Sequence, residues 1–160
     1  MKNRSEKWLQ SPYLCEVKLT YQPDIQVSLQ PVLVSPEEAF CYLKEIWEMD
    51  TIELHEEFYV LLFDNSIRCL GWSKISMGGK SSTIVDVSKI VSIALLGNAC
   101  SVILAHNHPS GLLKPSTADI NLTQRISKAL SLLGIKLSDH LIICRNGYYS
   151  FSEHNLLSRS

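Results

Sequence analysis

Along the 160-residue chain, apolar positions recur in two rhythms, one of period about 3.6 and one alternating or continuous, and the two interleave. The first alternation is "LCEVKLTYQP", where Cys15, Val17, Leu19 and Tyr21 share a face and predict a strand that Pro23 ends. Ser35, Pro36 and Glu38 form a helix start. A serine ahead of the first turn accepts a backbone N–H, and a glutamate three residues on reaches back to the cap. Ala39, Leu43, Ile46 and Trp47 then follow at helical spacing, predicting a helix over 36–49. "FYVLLF", at 58–63, is a continuous apolar run of strand length stopped by Asp64-Asn65-Ser66, as expected of a strand covered on both faces. A hairpin partner is expected over 67–75.

After a Gly- and Ser-rich turn at 78–82, Val87, Ile90, Val91, Ala94, Leu95 and Asn98 repeat as an amphipathic helix capped by Asp86. "SVILA", at 101–105, reads as a second buried strand. A longer helix is expected over 116–133, with Leu122, Ile126, Ala129, Leu130 and Leu133 inward and Gly134 as its stop. "IKLSDHLIIC" and "YYSF" read as closing strands about the turn Arg145-Asn146-Gly147. Interleaved strands and helices predict an α/β or α+β fold, a mixed central sheet flanked by helices. Residues 1–34 are expected to form an arm and a strand, and 35–160 the domain itself.

Composition changes this picture little and excludes several functions. Fifteen Lys and Arg balance sixteen Asp and Glu, and no basic cluster occurs, so charge gives no support for general nucleic-acid binding. The five cysteines are scattered, with no C-x-x-C pair, which points to reduced thiols and a cytoplasmic protein. "MKNRSEKWLQ" is not followed by a hydrophobic region and does not read as a signal peptide. The longest apolar stretch, 90–105, is too short and too interrupted to span a membrane.

The chemistry concentrates in "LAHNHPSGLLKPSTAD", at 104–119. Ser116-Thr117-Ala118-Asp119 matches a capping box, and on that reading Asp119 only closes a helix start. The histidines add a second reading. In an extended segment His106 and His108 point the same way and can offer two imidazoles to one point at the end of a buried strand. Asp119 lies on the stripe of Leu122, Ile126 and Leu130, so its carboxylate turns inward and needs a partner; on this reading it leaves the capping box to face a metal ion. Two His and one Asp with an open position is the ligand set of a catalytic zinc site. Such a site also needs a proton shuttle, for which Glu53, Glu56 and Glu57 are candidates. Ser116 could donate a hydrogen bond to an oxyanion.

The spacing H-x-H-x7-S-x2-D, formed by His106, His108, Ser116 and Asp119, resembles that of the JAMM (MPN+/JAB) metalloproteases. With "LGIKLSDHLII" and "GYYSF", the stretch from Glu56 to Ser152 is similar to the bacterial RadC-like branch of that family. The resemblance implies a JAB/MPN deaminase-like fold and one zinc ion per chain on His106, His108 and Asp119. It implies Ser116 on the oxyanion side and Glu56 as the general base, with Glu57 as the alternative. The implied reaction is hydrolysis of a peptide or isopeptide bond in an unidentified protein or peptide substrate. Where relatives carry a Pro-Arg-Glu triplet, this chain has Val87, Ser88 and Lys89. Residues 1–50 also lack the glycine-rich signal of the helix-hairpin-helix module found in longer relatives, so the DNA-repair link of the family is expected to be weaker here.

Two other classes stand beside the hydrolase: a zinc-binding but non-catalytic interaction module, and a DNA-processing accessory protein. A cytidine-deaminase reading fails for want of a C-x-x-C pair. His55 and His154 are expected at the surface, and His140 is expected to be a strand residue with a structural hydrogen bond.

Overall fold

The computed structural model describes residue 26 and residues 29–78 and 85–157. The strand expected near Cys15 and most of the glycine-rich turn lie outside the described residues. The order is α1 (Pro36–Ile46), β1 (Glu57–Phe63), β2 (Cys69–Met77), α2 (Val87–Leu96), β3 (Ser101–Asn107), α3 (Thr117–Ser131), β4 (Lys136–Cys144) and β5 (Gly147–Ser150). The strands form one mixed sheet in the order β2-β1-β3-β4-β5. Only β3 and β4 run parallel, and α3 provides their crossover.

Each helix starts where local chemistry predicts. Ser35, Asp86 and Ser116 are the N-caps, each accepting a backbone N–H of the first turn. α1 ends at Ile46, three residues before the expected end, with the Trp47 N–H closing on the Leu43 carbonyl. Gly134 takes a φ of 72° just past α3, a conformation that glycine adopts without strain.

The sheet is covered on both sides. On one face, Ala39 and Leu43 of α1 pack with Tyr59, Leu61, Phe63, Ile103, Ala105 and Leu141. On the other, Ile90 and Ala94 of α2 and Ile126 and Leu130 of α3 pack on Phe58, Val60, Leu62, Val102 and Leu104. β1 is buried at every position, which accounts for its unbroken apolar run. Leu95 and Leu133, expected inward, are exposed. In their helices Ile90 with Ala94, and Ile126 with Leu130, complete the contact with the sheet. No helix among the described residues is long and apolar enough to cross a membrane.

Candidate metal centre

β3 is the middle strand, and its last two residues, His106 and Asn107, belong to the strand although both are polar. His106 follows Val102 and Leu104 by the two-residue pleat and so enters the face covered by α2 and α3. It is 1% exposed. His108 lies just beyond the strand, where Gly111, at φ 73°, closes a turn by donating its N–H to the His108 carbonyl at 2.9 Å. This turn brings the Leu112 carbonyl back to 2.7 Å from His108 Nδ1. The "HPSG" sequence therefore orients the second imidazole.

Asp119 comes from the first turn of α3 and faces both rings. His106 Nε2 and His108 Nε2 are 3.0 Å apart, Asp119 Oδ1 is 3.4 Å from His106 Nε2, and Oδ2 is 3.6 Å from His108 Nε2. His106, His108 and Asp119 form the one group of at least three His, Cys, Asp or Glu among the described residues whose donor atoms are placed to hold a metal ion.

One expectation is corrected here. Asp119 does not leave the capping box to face the imidazoles. Its Oδ2 accepts the Ser116 N–H and the Ser116 hydroxyl, both at 2.7 Å, while Ser116 Oγ accepts the Asp119 N–H at 3.2 Å. Oδ2 caps the helix while lying 3.6 Å from His108 Nε2, and Oδ1, outside the capping box, is turned toward His106. The Ser116 hydroxyl proton is thereby committed to Asp119.

The titrations follow from these contacts. Burial holds His106 at a pKa of about 4, outweighing the pull of Asp119, so the ring is neutral at pH 7. The hydrogen bond to Asp119 raises His108, and the charge of nearby Glu56 acts in the same direction. Asp119 loses solvation on burial, yet the two histidines and the Ser116 hydrogen bonds hold it well below the usual carboxylate range. A neutral imidazole beside an ionised carboxylate is the state that metal binding requires.

The glutamates separate by pleat. Glu57 begins β1 on the face opposite His106 and is 1% exposed. Its Oε1 accepts from Lys74 Nζ at 2.9 Å and lies 3.0 Å from His55 Nε2, and its Oε2 accepts from the Tyr59 hydroxyl at 3.1 Å. Glu53 pairs with Arg145 on the surface. Glu56, half-buried, stands just before the strand, one pleat position from Glu57.

Two further residues lie against the site. His140, on β4, is fully buried, with Nε2 2.8 Å from His106 Nδ1 and Nδ1 2.6 Å from the Thr123 hydroxyl. It is the strand residue with a structural hydrogen bond that was expected, and its partner is a candidate ligand. Burial pushes its pKa well below the usual value. Asn107, also fully buried, accepts the Glu57 N–H at 2.7 Å and donates to the carbonyls of Ile52 and His55 at 2.6 and 2.9 Å. Sequence reasoning assigned nothing to Asn107 or Thr123, although the position of Asn107 between the two histidines was a signal. No disulfide joins Cys41, Cys69, Cys100 and Cys144.

Comparison with known proteins agrees with this geometry. The profile of the RadC-like JAB domain matches residues 33–156. A UPF0758 protein of Porphyromonas gingivalis is 48% identical over 103 residues, 64% of this chain and 45% of its own length. A UPF0758 protein of Aquifex aeolicus is 37% identical over 123 residues, 77% of this chain and 52% of its own length. The UPF0758 protein YkfG of Escherichia coli is 46% identical over 102 residues, 64% of this chain and 65% of its own length. The chain spans about half the length of the first of these relatives. With the profile covering 124 of 160 residues and the histidine and aspartate donors brought together inside it, this chain belongs to the RadC-like JAB domain family.

Proposed function

We propose that this chain is a zinc-dependent hydrolase of the JAMM type, acting on a peptide or isopeptide bond of a protein or peptide substrate. One observation carries the reading: His106 Nε2, His108 Nε2 and the Asp119 carboxylate face one another, with the two ring nitrogens 3.0 Å apart and all the donor atoms placed to hold one metal ion. The Leu112 carbonyl takes the His108 Nδ1–H, so the neutral ring holds its lone pair at Nε2.

The separations suit zinc. Tetrahedral bonds of about 2.0–2.2 Å place neighbouring donors about 3.3–3.6 Å apart, and the observed 3.0, 3.4 and 3.6 Å bracket that range. Two imidazoles and one carboxylate leave a fourth position open, the arrangement of catalytic rather than structural sites. When bound, zinc supplies a Lewis acid that makes water nucleophilic near neutral pH.

The remaining work falls to the chain. Glu56 is the general base of this proposal, taking a proton from water and passing it to the leaving amine. Its charge is felt at His108, whereas Glu57 is occupied by Lys74, His55 and Tyr59 on the other face. Ser116 can turn its hydroxyl from Asp119 Oδ2 to a developing oxyanion, because the Ser116 N–H still holds that oxygen.

The test is metal content and hydrolysis together. Wild type should carry about one zinc per chain and cleave members of a peptide library read by mass spectrometry. His106→Ala should lose the zinc, and Glu56→Gln should keep it and lose cleavage. Wild type that takes up no zinc, or Glu56→Gln that cleaves as wild type does, overturns the assignment. Zinc bound without any cleavage would instead leave the non-catalytic module.

A further inference from the structure

Behind His106 lies a run of three contacts whose proton order is fixed from one end. The Asp119 carbonyl, which has no proton, is 2.6 Å from the Thr123 hydroxyl, so Thr123 donates there, as threonine does one turn along a helix. The hydroxyl has only that proton. Its second contact, 2.6 Å to His140 Nδ1, must then be donated by the imidazole. His140 is fully buried between the rings of Phe58 and Phe151, where a charged imidazole is disfavoured, so it has a single N–H and its Nε2 is bare. The 2.8 Å contact from that nitrogen to His106 Nδ1 is therefore filled by a proton on His106. What remains on His106 is a lone pair at Nε2, the atom facing His108 and Asp119.

We infer that Thr123 and His140 are positioning residues that lock His106 in its Nδ1–H tautomer, presenting Nε2 as a ready metal donor. The run begins and ends on candidate ligands, Asp119 and His106, so the α3 register that places the carboxylate also sets the tautomer of the histidine. An imidazole free in water favours the opposite, Nε2–H form, which would turn a proton toward the metal position. A tautomer fixed by the hydrogen bond of the other ring nitrogen is how histidine ligands are generally oriented, and loss of such a partner commonly weakens metal affinity about 10–100-fold.

The inference uses the metal site of the proposed function but not its chemistry, and the test separates the two. Long-range 1H–15N correlation spectra of metal-free, histidine-labelled protein at pH 7.5 should show both His106 and His140 as Nδ1–H tautomers. His106 found as the Nε2–H tautomer overturns the inference whether or not the protein hydrolyses anything. His140→Phe keeps a ring between Phe58 and Phe151 but offers no acceptor, and Thr123→Val keeps the side-chain shape but offers no hydroxyl. Each should remain folded, lose the single His106 tautomer and bind zinc about 10–100-fold more weakly by competition with a chromophoric chelator. Thr123→Ser, which restores the hydroxyl, should recover affinity. If folded Thr123→Val and His140→Phe both keep the wild-type tautomer and affinity within about twofold, the relay has no positioning role. Should either variant fail to fold, the wild-type spectrum and the Thr123→Ser comparison still decide the question.

Discussion

Replacing Asn107 with alanine tests how the loop before β1 is held. The side chain is fully buried and makes three hydrogen bonds: it accepts the Glu57 N–H at 2.7 Å and donates to the Ile52 and His55 carbonyls at 2.6 and 2.9 Å. Asn107→Ala removes all three and leaves one N–H and two carbonyls without these partners. At about 1 kcal/mol per bond, with the added cost of orphaned buried groups, the loss is about 3–5 kcal/mol. That is a large share of the about 5–15 kcal/mol that holds a domain together. With a urea m-value of about 2 kcal/mol/M, the unfolding midpoint should fall by about 2 M. Glu56 sits between His55 and Glu57, the two residues that Asn107 ties down, so hydrolysis should fall as well. Zinc affinity should change little, because His106, His108 and Asp119 keep their own contacts. Urea titration followed by tryptophan fluorescence gives the midpoint, and a shift below about 0.3 M refutes the claim that Asn107 anchors this segment.

Three further outcomes follow from the same contacts. Ser116→Ala removes an N-cap that accepts the Asp119 N–H and should cost about 1 kcal/mol in urea titration, with Ser116→Thr recovering most of it. Zinc at 100 times its dissociation constant should raise stability by about 2.7 kcal/mol, read as a higher Tm that a chelator reverses; an unchanged Tm would contradict binding to the folded state. Burial pushes the Glu57 carboxyl up, but hydrogen bonds from Lys74, His55 and Tyr59 outweigh this and hold its pKa below the usual 4.5. A lowered carboxyl pKa stabilises the fold fully above the unfolded value, and the gain is lost as pH falls through the folded one. Glu57→Gln should thus be less stable at pH 7, and the gap should close as pH falls below 4.5; parallel stability curves at all pH values would show that the pair contributes nothing.

What could be read in the sequence was what local chemistry decides. The caps at Ser35, Asp86 and Ser116 each depend on residues within one turn, and all three hold. The grouping of His106, His108 and Asp119 was legible because strand alternation and the helix stripe each fix a direction. The contacts of Asn107 and Thr123 were not. Asn107 reaches residues 50 to 55 positions away, and Thr123 fills a buried helix position that hydropathy gives to leucine or isoleucine. His140 reaches His106 only through the parallel β3–β4 pairing, which the sequence implied as a mixed sheet without fixing its register. For Asp119, the reading of cap and ligand as alternatives failed because it treated the carboxylate as one acceptor rather than two.

The Glu56 assignment comes down to parity. In "EEFYVLLF" every residue from Glu57 onward is buried, so hydrophobicity cannot say which of two adjacent glutamates shares a face with the histidines. Pairing can: Phe58 lies opposite His106 and packs on the α2 and α3 face, so Glu57, one residue earlier, faces the other side. There its charge is balanced by Lys74, and its oxygens also meet His55 and Tyr59. On the proposed function, the pleat separates two acidic roles at one end of the sheet. The carboxylate at 57 serves the fold, and the one at 56, before the strand begins, is left on the side where His108 feels its charge. If parity is the right argument, Glu57→Gln should lower stability while retaining hydrolysis per folded molecule, and Glu56→Gln should do the reverse. Equal loss of hydrolysis in both variants at matched folded fraction would break the link between strand register and role.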